Sequence, residues 1–375
     1  MFGNSWRVGR VAGIEIRIDQ SWILIALLIT YSLYLRFTFI YRELSTPAAV
    51  ILAVAAALLF FGSVLTHEMA HSLMAVRRKI PVRGITLFLF GGATHAKVES
   101  RGPWDEFVIS VVGPLTSVAL ALVFGAVGIW GDGVLPAPVA GMFGYLGWVN
   151  LLLAIFNLVP GFPLDGGRVL RSAVWKATGS LQTATRVASF AGQVVGYLLV
   201  GVGIWSVFAG SLAGGIWFAF IGWFLAQAAA NSYEQMQIQR MLEKVDAESV
   251  MARDLVAVAP DLTLQEVVDR FFMRYDHSAF PVEEGGRTLG LVTLRAVKRL
   301  PRERWGEARV REAMGAVDDQ VTVTPGTGMD VVLTKLQDGE VHRVLVVEGE
   351  EVVGIITPHD VARWFRRREE IDARS

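Results

Sequence analysis

The chain has 375 residues, 53% hydrophobic and only 19% charged, against about 25% charged in an ordinary soluble chain. Lys plus Arg (35) balance Asp plus Glu (35), so nothing favours a nucleic-acid partner. There is no cysteine, which excludes disulfides and thiolate metal sites and leaves His, Asp or Glu to hold any metal.

The shortfall of charge is uneven: 21–230 is a series of apolar blocks, whereas 241–375 has the composition of a soluble domain. Arg7, Arg10 and Arg17 precede an apolar run from Ser21 to Leu35. No small-residue cleavage site follows it and more apolar blocks do, so it reads as a retained first span and not a signal peptide. A span needs about 20 mainly apolar residues. Six candidates qualify, at 21–40, 48–75, 107–130, 139–160, 188–209 and 213–231. The Gly-rich turn from Gly210 to Gly215 predicts a tight antiparallel hairpin of the last two. Six spans put both termini on one side. With the termini inside, the inner segments carry Arg7, Arg10, Arg17, Arg77, Arg78, Lys79, Arg83, Lys97, Arg101, Arg168, Arg171, Lys176 and Arg186, and the outer loops only Arg36 and Arg42. That bias places the termini in the cytoplasm and the chain in the cytoplasmic membrane.

Residues 80–103 are less apolar, with β-branched and aromatic residues around Gly91-Gly92, and read as a short β-hairpin or re-entrant loop. Non-helical backbone at membrane depth is tolerated only where it is buried in protein or lines a wet cavity. Glu99, Asp105 and Glu106 read as interfacial residues before the third span, and Arg168 and Arg171 as facing phospholipid headgroups.

The chemistry is carried by His67-Glu68-Met69-Ala70-His71 at the inner end of the second span. Helical residues four apart share a face, so both imidazoles can reach one ion, with Glu68 beside them. Zinc lowers the pKa of a bound water towards about 7, and a neighbouring carboxylate can take its proton. The pattern also arises by chance in soluble proteins, but ionisable residues at such depth are costly and usually functional. Asp165, in Asn157-Leu158-Val159-Pro160-Gly161-Phe162-Pro163-Leu164-Asp165-Gly166-Gly167, is the candidate third ligand; a helix cap in a loop leaving the membrane is the alternative. Pro160 and Pro163 stop the fourth helix, and Gly166-Gly167 allows a tight turn.

Together the two motifs resemble the site-2 protease family of intramembrane zinc metalloproteases, over about residues 1–230. The resemblance implies one Zn2+ per chain on His67, His71 and Asp165. It implies Glu68 as the general base, which later protonates the leaving amine, and Asn157 as a group holding the substrate or the developing oxyanion. The Gly91-Gly92 segment resembles a re-entrant segment that pairs with an unwound substrate strand, the substrate being a transmembrane protein such as a membrane-anchored transcription regulator. Gly113-Pro114 also matches the family, and reads as helix packing more than chemistry. His95 reads as a structural or substrate-contact residue and not a ligand.

Beyond the spans lies a repeat with a period of about 64 residues: Met251, Pro260, Gly290 and Thr293 answer to Met314, Pro325, Gly354 and Thr357. Each copy reads helix, short strand, helix, strand, strand, helix, with Ala279–Val282 pairing with Leu289–Thr293 and Val344–Val347 with Val352–Thr357. The repeat resembles a tandem pair of CBS domains. The resemblance implies an adenine nucleotide such as ATP or AMP, with Thr357 on phosphate and Asp360 on ribose hydroxyls. In the first copy Thr293 is present, but Ala296 stands where the Asp would be. The alternative is a pair that only dimerises the chain; a homodimer through the CBS domains is expected. His277 and His342 read as structural.

The expected fold is a polytopic α-helical membrane domain of about six transmembrane helices with a short re-entrant β-hairpin, plus a soluble α/β tandem CBS module. The divisions are 1–235 for the membrane domain, 236–246 for a linker, 247–308 for CBS domain 1 and 309–370 for CBS domain 2. The competing readings are a CBS-gated metal-binding transporter and an inactive membrane-helix binder. Glu68 argues against the transporter, which has no need of a base beside a zinc ligand.

Overall fold

The computed structural model describes residues 5–88, 91–96, 101–131, 133–243, 245–253, 255–275, 279–285, 287–315, 322–338, 343–349 and 351–372. The readings made for Glu99, His277 and His342 fall outside them. The chain divides into two compact units, Met1–Met236 and Gln237–Ser375.

The first unit runs β1 (Ser5–Val11), β2 (Ile14–Asp19), α1 (Gln20–Ile40), α2 (Thr46–Arg77), β3 (Val82–Phe88), β4 (Gly91–Ala96), α3 (Pro103–Trp130), α4 (Ala137–Asn157), α5 (Asp165–Thr178), α6 (Leu181–Phe208) and α7, which ends at Glu243 (Leu212–Glu243). Among the described residues six helices, α1 to α4 with α6 and α7, are long and apolar enough to cross a membrane. The protein is a multi-pass membrane protein. Side chains such as Leu27, Leu122 and Trp205 stand exposed, an arrangement that suits lipid and not water. α7 is helical through most of the segment assigned as linker.

Two elements were not anticipated. The basic N-terminal stretch is a β-hairpin, β1–β2, turned at Ala12 and Gly13, both at positive φ. β2 pairs in parallel with β3, and β3 antiparallel with β4, in the order β1-β2-β3-β4. The alternation Ile14-Glu15-Ile16-Arg17-Ile18 has the two-residue period of a strand, with Ile14 and Ile16 buried. Asp19 then caps α1 by accepting from the Ser21 N–H at 2.9 Å, so the sheet ends where the first span begins. The second is α5, a short amphipathic helix after the fourth span.

Small residues let the spans approach closely. α3 and α4 meet at Gly128 against Gly144 and at Gly125 against Gly147, and α6 meets α7 at Gly196 against Gly222. Lipid supplies little hydrophobic drive between spans, so close dispersive contact is what holds them together.

The second unit contains α8 (Ala247–Val250), α9 (Leu264–Val267), β5 (Ala279–Glu284), β6 (Arg287–Thr293), α10 (Leu294–Val297), α11 (Val310–Ala313), β7 (Thr322–Val323), α12 (Met329–Asp338), β8 (Val344–Glu348), β9 (Glu351–Ile356) and α13 (Pro358–Asp372). β5 pairs with β6 and β8 with β9, both antiparallel, with Val282 opposite Gly290 and Val346 opposite Gly354 in equivalent register. The first short strand of the first copy is reduced to a bridge of Val258 to Val282. The copies exchange their leading helices. Ala247 and Val250 pack with Val332, Val346 and Ile356 of the second copy, and Val310 packs with Phe280 and Val292 of the first.

Candidate metal centre

α2 presents His67 and His71 on one face, as their spacing requires, and both are buried. α4 ends at Asn157, and the Pro- and Gly-containing loop turns the chain into α5, whose first residue is Asp165. The loop is pinned by the Phe162 N–H donating to the Ala188 carbonyl of α6 at 3.1 Å. A methyl on Gly166 or Gly167 would collide with its backbone. Leu164, not Asp165, is the N-cap residue of α5.

Asp165 Oδ2 lies 3.2 Å from His67 Nε2 and 3.1 Å from His71 Nε2, and the two Nε2 atoms are 3.2 Å apart. Three lone-pair atoms crowded into one triangle repel one another unless a cation sits among them. A tetrahedral ion bonded at about 2.0–2.1 Å sets its ligand atoms about 3.3 Å apart, close to this triangle. Two imidazoles and one carboxylate suit zinc, whereas calcium and magnesium favour oxygen.

The other ring nitrogens are anchored. With each Nε2 kept for a metal, His67 Nδ1–H donates to Ser117 Oγ at 2.8 Å and His71 Nδ1–H to the Ile109 carbonyl at 2.6 Å. Both partners lie on α3. So does Gly113, where a methyl would fall on the His71 ring and 2.8 Å from His67 Nε2. Gly113 therefore packs α3 directly against the two imidazoles of α2. Neither Ser117 nor the Ile109 carbonyl belongs to a motif visible in the sequence. The available signal was spacing: 109, 113 and 117 lie four apart on one helical face.

Glu68 follows His67, is half-buried, and interacts electrostatically with His71. Asn157 is half-buried at the last residue of α4. One turn before His67 on α2, Ser63 accepts from buried Asn150 Nδ2 at 3.3 Å, a polar contact between spans that the sequence did not flag. β4 pairs His95 with Gly84 of β3 through its backbone. Arg171 does not face headgroups: it is buried and pairs with fully buried Glu106 at 2.5 Å. Asp105, read as interfacial, pairs with Arg78 at 3.0 Å.

In the second unit Thr357 N–H and Oγ1–H both donate to Asp360 Oδ2, at 3.0 and 2.6 Å, and Asp360 also pairs with Arg363. Thr293 accepts from the Ala296 N–H at 2.9 Å, a cap without a carboxylate partner.

The model of peptidase family M50 matches residues 55–139 and 134–202, and that of the CBS domain matches 247–303 and 310–367. The chain is similar to "Putative zinc metalloprotease Rip3" of Mycobacterium tuberculosis, 35% identical over 95% of this chain and 91% of that protein. It is similar to "Putative zinc metalloprotease sll0528" of Synechocystis, 34% identical over 97% and 96% respectively. Among solved structures it is similar to the site-2 protease of Methanocaldococcus jannaschii, 24% identical over 61% of this chain and 95% of that one, with a TM-score of 0.44.

Proposed function

The chain belongs to peptidase family M50 and is a zinc metalloendopeptidase with a CBS pair, and from that membership we propose that it cuts membrane-spanning substrates in regulated intramembrane proteolysis. The observation that carries the reading is the closure of His67, His71 and Asp165 on one point beside Glu68. His67, His71 and Asp165 would hold one Zn2+, which would supply Lewis acidity at the scissile carbonyl and to the attacking water. Glu68 takes the proton of the attacking water and returns it to the leaving amine. Asn157 holds the substrate carbonyl or its developing negative charge.

A transmembrane substrate hides its carbonyls in helical hydrogen bonds and must unwind before it is cut. β4 pairs on one side with β3, and its other side would accept the freed strand. Substrates are expected to include membrane-anchored transcription regulators. Both termini lie in the cytoplasm, on the side where the Lys and Arg residues of the membrane domain accumulate. Thr357 and Asp360 take an adenine nucleotide that adjusts cleavage, and the CBS pair brings two chains together.

The test is cleavage of a single-span substrate by the purified full-length protein in lipid, beside Glu68→Gln. The expected result is cutting by the native protein, none with a zinc chelator and none in the variant. Intact substrates alongside one bound zinc per chain would move the transporter or inactive-binder reading ahead.

A further inference from the structure

Two ion pairs meet at the first turn of α3. Asp105 Oδ1 lies 3.0 Å from Nη1 of Arg78, the C-cap residue that follows α2. Its neighbour Glu106 lies 2.5 Å, through Oε1, from Arg171 of α5. Adjacent carboxylates on one helix thus reach the two helices that supply the metal-binding triangle: α2, with His67 and His71, and α5, which opens with Asp165. The Arg78–Asp105 arm is partly exposed, at 33% and 23% of the side chains. The Glu106–Arg171 arm is sealed, and the Arg171 guanidinium also lies over the Phe162 ring at 5.1 Å, in the loop that delivers Asp165.

The same face of α3 continues from Glu106 through Ile109 and Gly113 to Ser117, in steps of three and four residues. One helix face therefore grips the middle of α5 through Arg171 and both imidazoles of α2. A buried ion pair is a weak source of stability, because removing two charges from water offsets their attraction, and registry is its better-attested use. The geometry points to a clamp: Asp105 and Glu106, with Arg78 and Arg171, are positioning residues that set α2 against α5 and so close the metal-binding triangle. This rests on the zinc-site reading above.

The test uses the full-length protein in lipid, with zinc affinity read by chelator competition and site geometry by the visible spectrum of the Co2+-loaded protein. Glu106→Gln removes an anion and Arg171→Met removes a cation. Acting on the metal through charge alone, the first would weaken binding and the second tighten it. The clamp makes both weaken it, by roughly ten- to a hundredfold, and both shift the Co2+ spectrum. The double variant, free of both buried charges, is no worse than the weaker single. At the exposed arm, Arg78→Asp and Asp105→Arg each weaken binding and the swapped pair restores it. Gly203→Ala is the control for general loosening, since its methyl would meet the Ala219 backbone 2.5 Å away on α7.

Shifts of opposite sign, folded variants with native affinity and spectrum, or the same spectral shift in Gly203→Ala would each overturn the clamp. If the buried-arm variants do not fold, the swap at Arg78 and Asp105 decides. A native protein that takes up neither zinc nor Co2+ overturns the site reading first, and the clamp with it.

Discussion

Gly113 of α3 and His71 of α2 are packed so closely that a single methyl on the glycine would occupy the space of the imidazole. The glycine thus leaves the room that the two imidazoles occupy, and the proposed zinc site depends on it. Gly113→Ala is expected to lose bound zinc and to cut substrate at least a hundredfold more slowly. Gly125→Ala, on the same helix with open space at its Cβ, should keep both. Metal analysis of the two purified variants checks this; equal zinc content would mean that His71 swings aside without cost.

Ser117 sets the orientation of His67 through the Nδ1–H bond, at 2.8 Å. Losing such a partner typically weakens a metal site by about 10–100-fold. Ser117→Ala should therefore bind zinc less tightly while keeping its fold. A chelator titration gives the answer, and an unchanged midpoint would reduce Ser117 to a packing residue.

The exchange of leading helices makes each repeat depend on the other. Val310 belongs by sequence to the second copy, yet it is buried in the core of the first with Phe280 and Val292. Val310→Ala should cost about 1–3 kcal/mol. The loss should appear as faster amide exchange in β5 and β6 and not in β8 and β9. Uniform or second-copy exchange would contradict the assignment.

Glu266 closes a capping box with Thr263 at the start of α9. The Thr263 backbone N–H, then its hydroxyl, hold the Glu266 carboxyl below the ordinary value of 4.5. A lowered folded-state pKa means that the contribution is complete above the unfolded value and fades as pH falls through the folded one. Native Glu266 should therefore lend acid sensitivity below about pH 4.5 that Glu266→Gln lacks. Thermal melts of the two proteins between pH 3 and 7 test it; parallel curves would exclude the effect.

Four features were legible without tertiary structure: the six spans, the shared face of His67 and His71, the break before Asp165, and the repeat of about 64 residues. Each is a local property, written as run length, helical spacing or self-similarity. The hairpin β1–β2 was also written locally, in the alternation around Ile16, but the charges beside it were read as the flank of a span.

The meeting of His67 with Asp165 across 98 residues was proposed from the joint motif, and the fold supplies the geometry. Only the tertiary structure decided that Gly113 and Ser117 face His67 and His71, that Arg171 turns inward to Glu106, and that the CBS copies trade helices. The physical reason is that an apolar span bounded by lipid is hydrophobic nearly all round. Its sequence determines that it crosses the membrane but leaves its rotation open, and close packing of small residues against neighbouring helices sets which face looks inward.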